Sequence, residues 1–474
     1  MNYKKTIGIE VHVELKTKEK LFSPSLNLYG DLANSNANII DLGYPGVLPT
    51  VNKEAISLAV KAAQVLNCKI RKKMHFDRKN YFYPDNPKNF QITQARTPIG
   101  YDGYVEINDA GVIKRIEIEE MHIEEDTSKS IHSKERTLLD FNRSGVPLIE
   151  IVTKPCIHTS KEATLYLEAL RELLLYANIS DCKIEEGSMR CDANISISKT
   201  AELGTKIEVK NIGSITNVGL AIDYEATRQE ELIEKGETLK EETRRYDAKL
   251  GKTILMRVKE TGNDYRYFPE PDIPYLELTD EYINNLKKEI PTLANIRRQK
   301  YLEAGISQIN VEKLIANKDL SDYLETLLDI NLKTTANLLL GDIQAYLNKT
   351  SKKITDTCLT QDKIKDLVKK LDEGVISHKN FKDLVIDIME TDKTIDDLLK
   401  EKGIQNVVDN SFVLDLIDKV LTENEKVVTD YLNGNERSFK FLMGQVMKES
   451  KGSVNPKVAN DLLLDALKKM KNKL

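Results

Sequence analysis

Near its N-terminus the chain alternates strictly between apolar and polar side chains. Isoleucine, valine and leucine fill the odd positions from Ile7 to Leu15, and most of the even positions between them are polar. Successive side chains of a strand point to opposite faces, so this pattern predicts a strand with one buried face and one polar face. The polar face carries Glu10, His12 and Glu14.

The rest of the chain falls into two regimes. Strand patterns with Gly, Pro and Asn turns continue to about Pro274, and helical patterns rich in Leu, Ile, Lys and Asp begin at Thr279. The proline-rich stretch between them cannot continue a helix. We therefore predict an α+β protein with domains at residues 1–291, 292–404 and 405–474.

The helical part contains two clear signals. Thr360 to Glu373 has amphipathic spacing and ends before Gly374, which is typical of a helix stop. Beyond Gly403 the spacing predicts four short helices. The last of them is expected to bury Val458, Leu462, Leu463, Leu467 and Met470.

Composition narrows the class of protein. Of 474 residues, 40% are hydrophobic and 31% charged, and no run of about 18 apolar residues predicts a membrane span. There is no apolar signal core, so we expect a cytoplasmic location. Scattered cysteines without a C-x-x-C pair argue against a disulfide framework. The five are Cys68, Cys156, Cys182, Cys191 and Cys358.

Three polar groups are candidates for chemistry. Glu10 and His12 on the first strand could form a corner for a hard metal ion, or simply a solvated strand face. The acidic run from Glu119 to Asp126 needs screening by water or by a cation, and a solvated turn explains it equally. Along a third strand, Arg190, Asp192, Asn194 and Ser196 share a face that could bind phosphate with magnesium, or hold a plain surface ion pair.

Two loops join basic side chains to tyrosines and contain prolines, at residues 77–85 and 264–272. They could hold a polar substrate and stack a base, or serve as rigid connections that cover core. The sequence lacks a Walker phosphate loop, a G-x-S-x-G elbow, an H-E-x-x-H helix and a dinucleotide fingerprint. It also shows no pairing of a nucleophile with a base that would indicate a hydrolase site.

One pattern runs in chain order through seven segments, at residues 9–15, 77–85, 124–126, 142–152, 185–194, 208–211 and 264–272. It resembles that of one family, the B subunits of the tRNA-dependent aspartyl/glutamyl amidotransferases. The resemblance implies a cradle-shaped N-terminal domain on an antiparallel β-sheet, followed by an all-α helical domain and a small all-α tail. It also implies a heterotrimer with an amidase-type A subunit and a small C subunit, and ammonia would come from the A subunit.

The resemblance also implies a reaction. ATP would phosphorylate the side-chain carboxylate of Glu-tRNA(Gln) or Asp-tRNA(Asn), and ammonia from the A subunit would then displace phosphate. In this interpretation Mg²⁺ is held by Glu10, His12 and Glu125, with Glu124 and Asp192 nearby. Arg190 steadies the phosphates of ATP beside Asp192. Lys79 lines the ammonia exit, where Glu125 could also accept a proton.

Two departures from the family pattern change these expectations. Many relatives carry four cysteines where this chain has Ser23, Ser25, Asn38 and Asp41. Serine and asparagine are poor zinc ligands, so we predict no zinc and a loop held by packing. Thr127 and Ser128 replace the usual Ala-Gly after the acidic run, which leaves the local geometry beside the metal less determined.

The C-terminal segment concentrates positive charge. Residues 437–474 contain nine basic side chains against three acidic ones, a net charge of +6 in a chain of net charge −5. This segregation favours contact with the phosphate backbone of tRNA, although a solvated helix end is the plain alternative. Two rival functions stay open: a tRNA-binding scaffold without catalysis, and a self-standing ligase that uses free ammonia on a small acid.

Overall fold

The computed structural model describes residues 3–258, 265–403, 410–450, 454 and 456–471. They form two compact units, Met1–Ala294 and Asn295–Leu474. The predicted division at residues 291 and 404 into three domains stays a prediction, as does the cradle shape. Among the described residues no helix is long and apolar enough to cross a membrane.

The first unit is built on a nine-stranded sheet. The helices of this unit are α1 (Lys53–Val65), α2 (Ser160–Tyr176), α3 (Ile215–Glu234) and α4 (Asp280–Lys288). Its strands are β1 (Lys4–Glu14), β2 (Lys69–Ile70), β3 (Lys73–Met74), β4 (Asp77–Asn80), β5 (Phe90–Thr93), β6 (Gly100–Asp109), β7 (Val112–Glu125), β8 (Lys129–His132), β9 (Thr137–Asp140), β10 (Pro147–Thr153), β11 (Met189–Ser198), β12 (Ile207–Lys210), β13 (Glu242–Asp247), β14 (Lys252–Val258), β15 (Phe268–Pro269) and β16 (Leu276–Glu277). The strand order of the sheet is β14-β13-β12-β11-β1-β10-β7-β6-β2.

The expectation of a wholly antiparallel sheet is wrong at one pairing. Strands β12 and β13 run parallel, and the other pairings in the sheet are antiparallel. Helix α3 connects these two strands and carries the chain back to the starting edge, which is the crossover that a parallel pair requires. The sheet is therefore mixed, and the protein is α+β.

The alternation in β1 is confirmed. Its apolar side chains from Ile7 to Leu15 are buried in a core that also contains Tyr166 and Leu170 of α2. Helix α2 packs on β6 and α3 on β11, so helices cover this face of the sheet. Burial of the apolar face by helices leaves the opposite face, with Glu10 and His12, for polar groups.

The second unit is helical. The predicted helix at residues 360–373 is confirmed, because Thr360 caps it and Gly374 follows it at φ 76°. Its α-helices are α5 (Ala294–Glu303), α6 (Gln308–Ala316), α7 (Lys318–Glu325), α8 (Leu332–Leu338), α9 (Gln344–Thr350), α10 (Gln361–Asp372), α11 (His378–Glu390), α12 (Ile395–Glu401), α13 (Asn410–Glu423), α14 (Glu425–Leu432), α15 (Glu436–Glu449) and α16 (Pro456–Lys471).

The last four helices share one small core. Leu463 and Leu467 of α16 are fully buried in it, as the apolar spacing predicts. Met470 is 39% exposed, so its predicted burial is wrong. It lies in the last turn of α16, beyond the turn that contains Leu467. The predicted break beyond Gly403 falls on residues 404–409, which lie outside the described residues.

Candidate functional site

Three adjacent strands place a row of ionisable side chains on the polar face of the sheet. In the register of β1, β10 and β7, His12 lies opposite Glu150, and Glu150 lies opposite His122. Directly opposed residues of antiparallel strands have side chains on the same face. The pairing of these strands therefore brings two imidazoles to the two sides of one carboxylate.

Glu124 completes this group. His12 Nε2 lies 3.3 Å from Glu124 Oε1 and 3.5 Å from Glu150 Oε2. One ligand atom from each of these three residues lies within 4.8 Å of the other two. One imidazole nitrogen with two carboxylate oxygens is a donor set that suits a divalent cation.

Glu150 was missed by sequence reasoning, although a signal exists. It is the acidic residue in the apolar strand β10, at an alternating position between Leu148 and Val152. A buried strand gives no reason for a carboxylate there unless a partner lies on the neighbouring strands. Only the strand order, which the sequence pattern does not give, identifies His12 and His122 as those partners.

The electrostatics of the group follow from its burial. Burial opposes the charged form of His12, but ion pairs with Glu124 and Glu150 overcome it and raise its pKa to about 10. Burial likewise opposes the charged form of both carboxylates, and the two histidines hold the pKa of each below its usual range. Two imidazoles and two carboxylates thus balance each other's charge.

A second carboxylate group lies beside the first. Glu10, Asp192 and Glu208 each place an oxygen within 4.8 Å of the others. Lys210 Nζ lies 2.8 Å from Asp192 and 2.9 Å from Glu208, and Asn194 Nδ2 donates to Glu10 at 2.7 Å. Burial, followed by the charge of Glu150, raises the pKa of Glu10. This group therefore already holds one cation, the lysine ammonium.

Both groups border a cavity of about 430 Å³. Its walls contain His12 and Glu124, together with the basic side chains Lys79, Arg190 and Lys210. Burial opposes the charge of Lys79 and of Arg190, but neighbouring carboxylates raise the pKa of both groups. The cavity therefore combines carboxylates with three cations, which is the composition that a nucleotide phosphate with a bound divalent ion requires.

The predicted residues around the cavity are held by specific contacts. Arg190 Nη2 donates to Asp126 Oδ2 at 2.7 Å. Lys79 Nζ lies 5.1 Å from the centre of the Tyr265 ring. The structure thus places Lys79, Arg190 and Asp192 on one cavity with His12 and Glu124.

Glu125 is not brought to His12. It follows Glu124 directly in β7, so the two side chains point to opposite faces of the strand. Its carboxylate accepts from the Ile92 amide at 2.9 Å and pairs with Lys88. It borders a separate cavity of about 170 Å³. The predicted ligand set of Glu10, His12 and Glu125 is therefore divided among three places.

The four positions at which the resemblance implies cysteines in the family do come together. The hydroxyl groups of Ser23 and Ser25 each donate a hydrogen bond to the Asp41 carboxylate at 2.6 Å, and the backbone N–H of Asn38 donates to it at 2.9 Å. Buried Lys20 lies 3.3 Å from the same carboxylate. The loop is thus held by polar contacts to Asp41, and the expectation of packing alone is corrected. The absence of zinc stays a prediction.

The two aromatic loops meet through a short pairing of β15 with β4. Arg78 donates to both oxygens of buried Glu270, at 2.6 and 2.9 Å, so this arginine holds the loops together. Tyr81 borders the larger cavity, which leaves a role in substrate contact open. Asp264 lies outside the described residues.

Comparison with family models identifies the class of protein. Residues 5–284 match the family model described as the GatB/GatE catalytic domain, and residues 322–467 match the model described as the GatB domain. The polar sheet face and its cavity lie wholly within the first match. A catalytic domain of the GatB/GatE class thus precedes a helical GatB domain.

Relatives over the full length give the particular family. The chain is 44% identical over 474 residues to the B subunit of the aspartyl/glutamyl-tRNA(Asn/Gln) amidotransferase of Lysinibacillus sphaericus. It is 45% identical over 475 residues to the protein of the same description from Bacillus pumilus. Each comparison covers 99% of this chain and 100% of the relative. The chain belongs to the family of these amidotransferase B subunits, as the resemblance predicted.

Proposed function

We propose that this chain is the B subunit of a tRNA-dependent amidotransferase. In this role it phosphorylates a carboxylate on misacylated tRNA and presents the phosphorylated carboxyl group to ammonia. The observation that carries the proposal is the convergence of His12, Glu124 and Glu150, two of which, His12 and Glu124, border a cavity that three cations also line. A carboxylate is a poor electrophile, and its phosphorylation creates a leaving group. Phosphoryl transfer depends mainly on positioning and on stabilisation of charge, which such a cavity supplies.

The residues present fit a magnesium ion that takes the place of the proton on His12, because a metal-binding imidazole must be neutral. His12, Glu124 and Glu150 offer one nitrogen and two carboxylates, and room for water or phosphate oxygens remains on the cavity side. The ion would neutralise charge on the transferred phosphoryl group. Glu10 and Asp192 would lie near the nucleotide without binding this ion, because Asn194 holds Glu10 and Lys210 holds Asp192.

The basic side chains would bind the phosphates of ATP. Arg190 is fixed by Asp126 and lies on the cavity wall, so it can present its remaining donors to phosphate oxygens. Lys79 lies on the same wall and can contact the γ-phosphate or the substrate carboxylate. Tyr81 on this wall supplies an aromatic surface for a base or for the ribose of the tRNA terminus.

Glu125 receives a different role from that of a ligand beside His12. Paired with Lys88 on the other side of β7, it can accept a proton from ammonium as ammonia approaches the activated carboxyl group. Ammonia would arrive from an amidase-type A subunit that hydrolyses glutamine. A small C subunit would complete the complex, and tRNA(Gln) or tRNA(Asn) carrying Glu or Asp would be the substrate.

The test uses the complex of this chain with its A and C subunits. We expect ADP release that depends on Glu-tRNA(Gln) or Asp-tRNA(Asn), and we expect His12→Ala to abolish it while glutaminase activity remains. ADP release without tRNA would favour the free-acid ligase. Normal ADP release by His12→Ala would place catalysis elsewhere and favour the scaffold.

A further inference from the structure

His122 lies next to the proposed cation site and has no role in the function argued above. It belongs to β7, two residues before Glu124, on the same face of the sheet. Its Nε2 lies 3.0 Å from Glu150 and 3.7 Å from Glu124, and its Nδ1 lies 3.7 Å from Glu120. One imidazole nitrogen thus approaches both carboxylates of the proposed site.

The imidazole is placed behind the ligands rather than among them. His12 and Glu124 border the cavity, whereas Glu150 and, beyond it, His122 are not part of its wall. The set of donor atoms that converge within 4.8 Å contains His12 but not His122. The cross-strand register fixes this order, with Glu150 between the two rings.

We propose that His122 is a positioning residue that orients Glu150 and Glu124 so that both carboxylates face the cation held with His12. Two carboxylates this close repel each other, and a side chain that pairs with both from behind sets their direction. Outer partners of metal-binding carboxylates commonly control affinity in this way. The inference rests on the proposed cation site at His12.

The test measures the binding of Mn²⁺, a probe for Mg²⁺, to the full chain in its complex. The paramagnetic signal of the free ion reports how much Mn²⁺ stays unbound. His122→Phe keeps a ring but removes the nitrogen, and we expect it to weaken Mn²⁺ binding by about 10- to 100-fold. His122→Gln keeps an N–H donor near the position of Nε2, and we expect it to restore most of that loss. His132→Phe, in the exposed hairpin of β8 and β9, is the matched control and should bind like the wild type.

The outcomes separate this inference from the proposed function. If His12→Ala binds as much Mn²⁺ as the wild type does, the proposed cation site itself is wrong. If the wild type binds and a folded His122→Phe binds equally well, the positioning role fails and the cation site stands. Pulsed paramagnetic resonance of bound Mn²⁺ should still detect a coordinated nitrogen in His122→Gln. Loss of that signal would show that His122 is a ligand and would overturn its assignment as a positioning residue.

Discussion

At the scale of single residues, the proposed site depends on the order of side chains along three strands. Sequence alternation alone places Glu10 and His12 on one face of β1 and buries Ile9 and Val11 behind them. It does not show that β10 lies between β1 and β7, and so it cannot identify Glu150.

The choice between Glu124 and Glu125 illustrates the same difficulty. Both are acidic, both are buried and they are neighbours in β7. A shift of one residue in register reverses which of them faces His12, and sequence pattern does not settle that register. In the structure Glu124 pairs with His12, and Glu125 pairs with Lys88.

Glu150→Gln tests the residue that sequence reasoning missed. It keeps the size of the side chain and removes a charged ligand, so we expect tRNA-dependent ADP release to fall by at least about 100-fold, equal to about 2.7 kcal/mol. Glu119→Gln changes an exposed acid of the neighbouring strand and should leave the rate unchanged. Steady-state ADP release by both complexes is the measurement, and a Glu150→Gln complex as fast as wild type would remove this residue from the site.

At the scale of elements, two local features are held by specific contacts. Within the loop at residues 23–41, Ser23 and Ser25 donate to Asp41, which also pairs with Lys20, and the short strand β2 is held on β6 by antiparallel pairing. The sequence showed the four substituted positions of the loop, but it gave no means of predicting that Lys20 would join Asp41. No pattern of apolar and polar residues predicts that a lysine in a loop will be buried.

Asp41→Asn should destabilise the catalytic unit. It leaves Lys20 buried without its charged partner, which typically costs about 3–5 kcal/mol. Thermal melting of the purified chain is the measurement. Asp31→Asn, an exposed aspartate of the same loop that accepts from Asn36, is the control and should melt like the wild type.

The deficit of Asp41→Asn should depend on pH. Burial lowers the pKa of Lys20 from its ordinary value of 10.5, so the unfolded chain binds this proton more tightly than the folded chain. Stability from this group therefore rises with pH between the lowered folded pKa and 10.5. Without Asp41 the folded pKa falls further, so the difference in melting temperature between variant and wild type should shrink as the pH rises towards 10.5. A deficit that grows with pH would contradict the assignment.

Replacing two glycines by alanine should change the melting temperature in opposite directions. At Gly103 in β6 an added Cβ would lie 2.3 Å from Cys68 Sγ and 2.7 Å from the Leu66 carbonyl oxygen, so Gly103→Ala should lower the melting temperature. At Gly444 in α15 nothing lies within 4 Å of an added Cβ, so Gly444→Ala should stabilise its helix by up to about 1 kcal/mol. Melting curves of the two variants check both signs. Equal shifts in the same direction would contradict this packing argument.

At the scale of the whole molecule, the class of each half was predictable and the connectivity was not. The strand patterns up to Pro274 lie in the first unit, which also contains the helices α1, α2 and α3, and the helical patterns after Thr279 begin one helix, α4, before the second unit. The parallel pairing of β12 with β13 depends on where α3 returns the chain. That is a long-range property which local pattern does not contain.

The basic C-terminal segment gives a prediction for tRNA binding. Lys468, Lys469 and Lys471 lie in the last turn of α16, so replacing all three by alanine should weaken binding at low salt. The slope of log K for tRNA binding against log salt concentration should also become shallower, by about one unit for each phosphate that is no longer neutralised. Filter binding of tRNA to the complex at several salt concentrations measures the slope. The double variant Lys379→Ala with Lys382→Ala, exposed in α11, should keep the wild-type slope.

The sharpest test of the proposed cation site is anomalous diffraction from crystals of the complex soaked in Mn²⁺. We expect a peak at about 2.0–2.3 Å from His12 Nε2 and from one oxygen each of Glu124 and Glu150. A peak beside Glu125 and Lys88 instead, or no peak on the polar face of the sheet, would contradict the site.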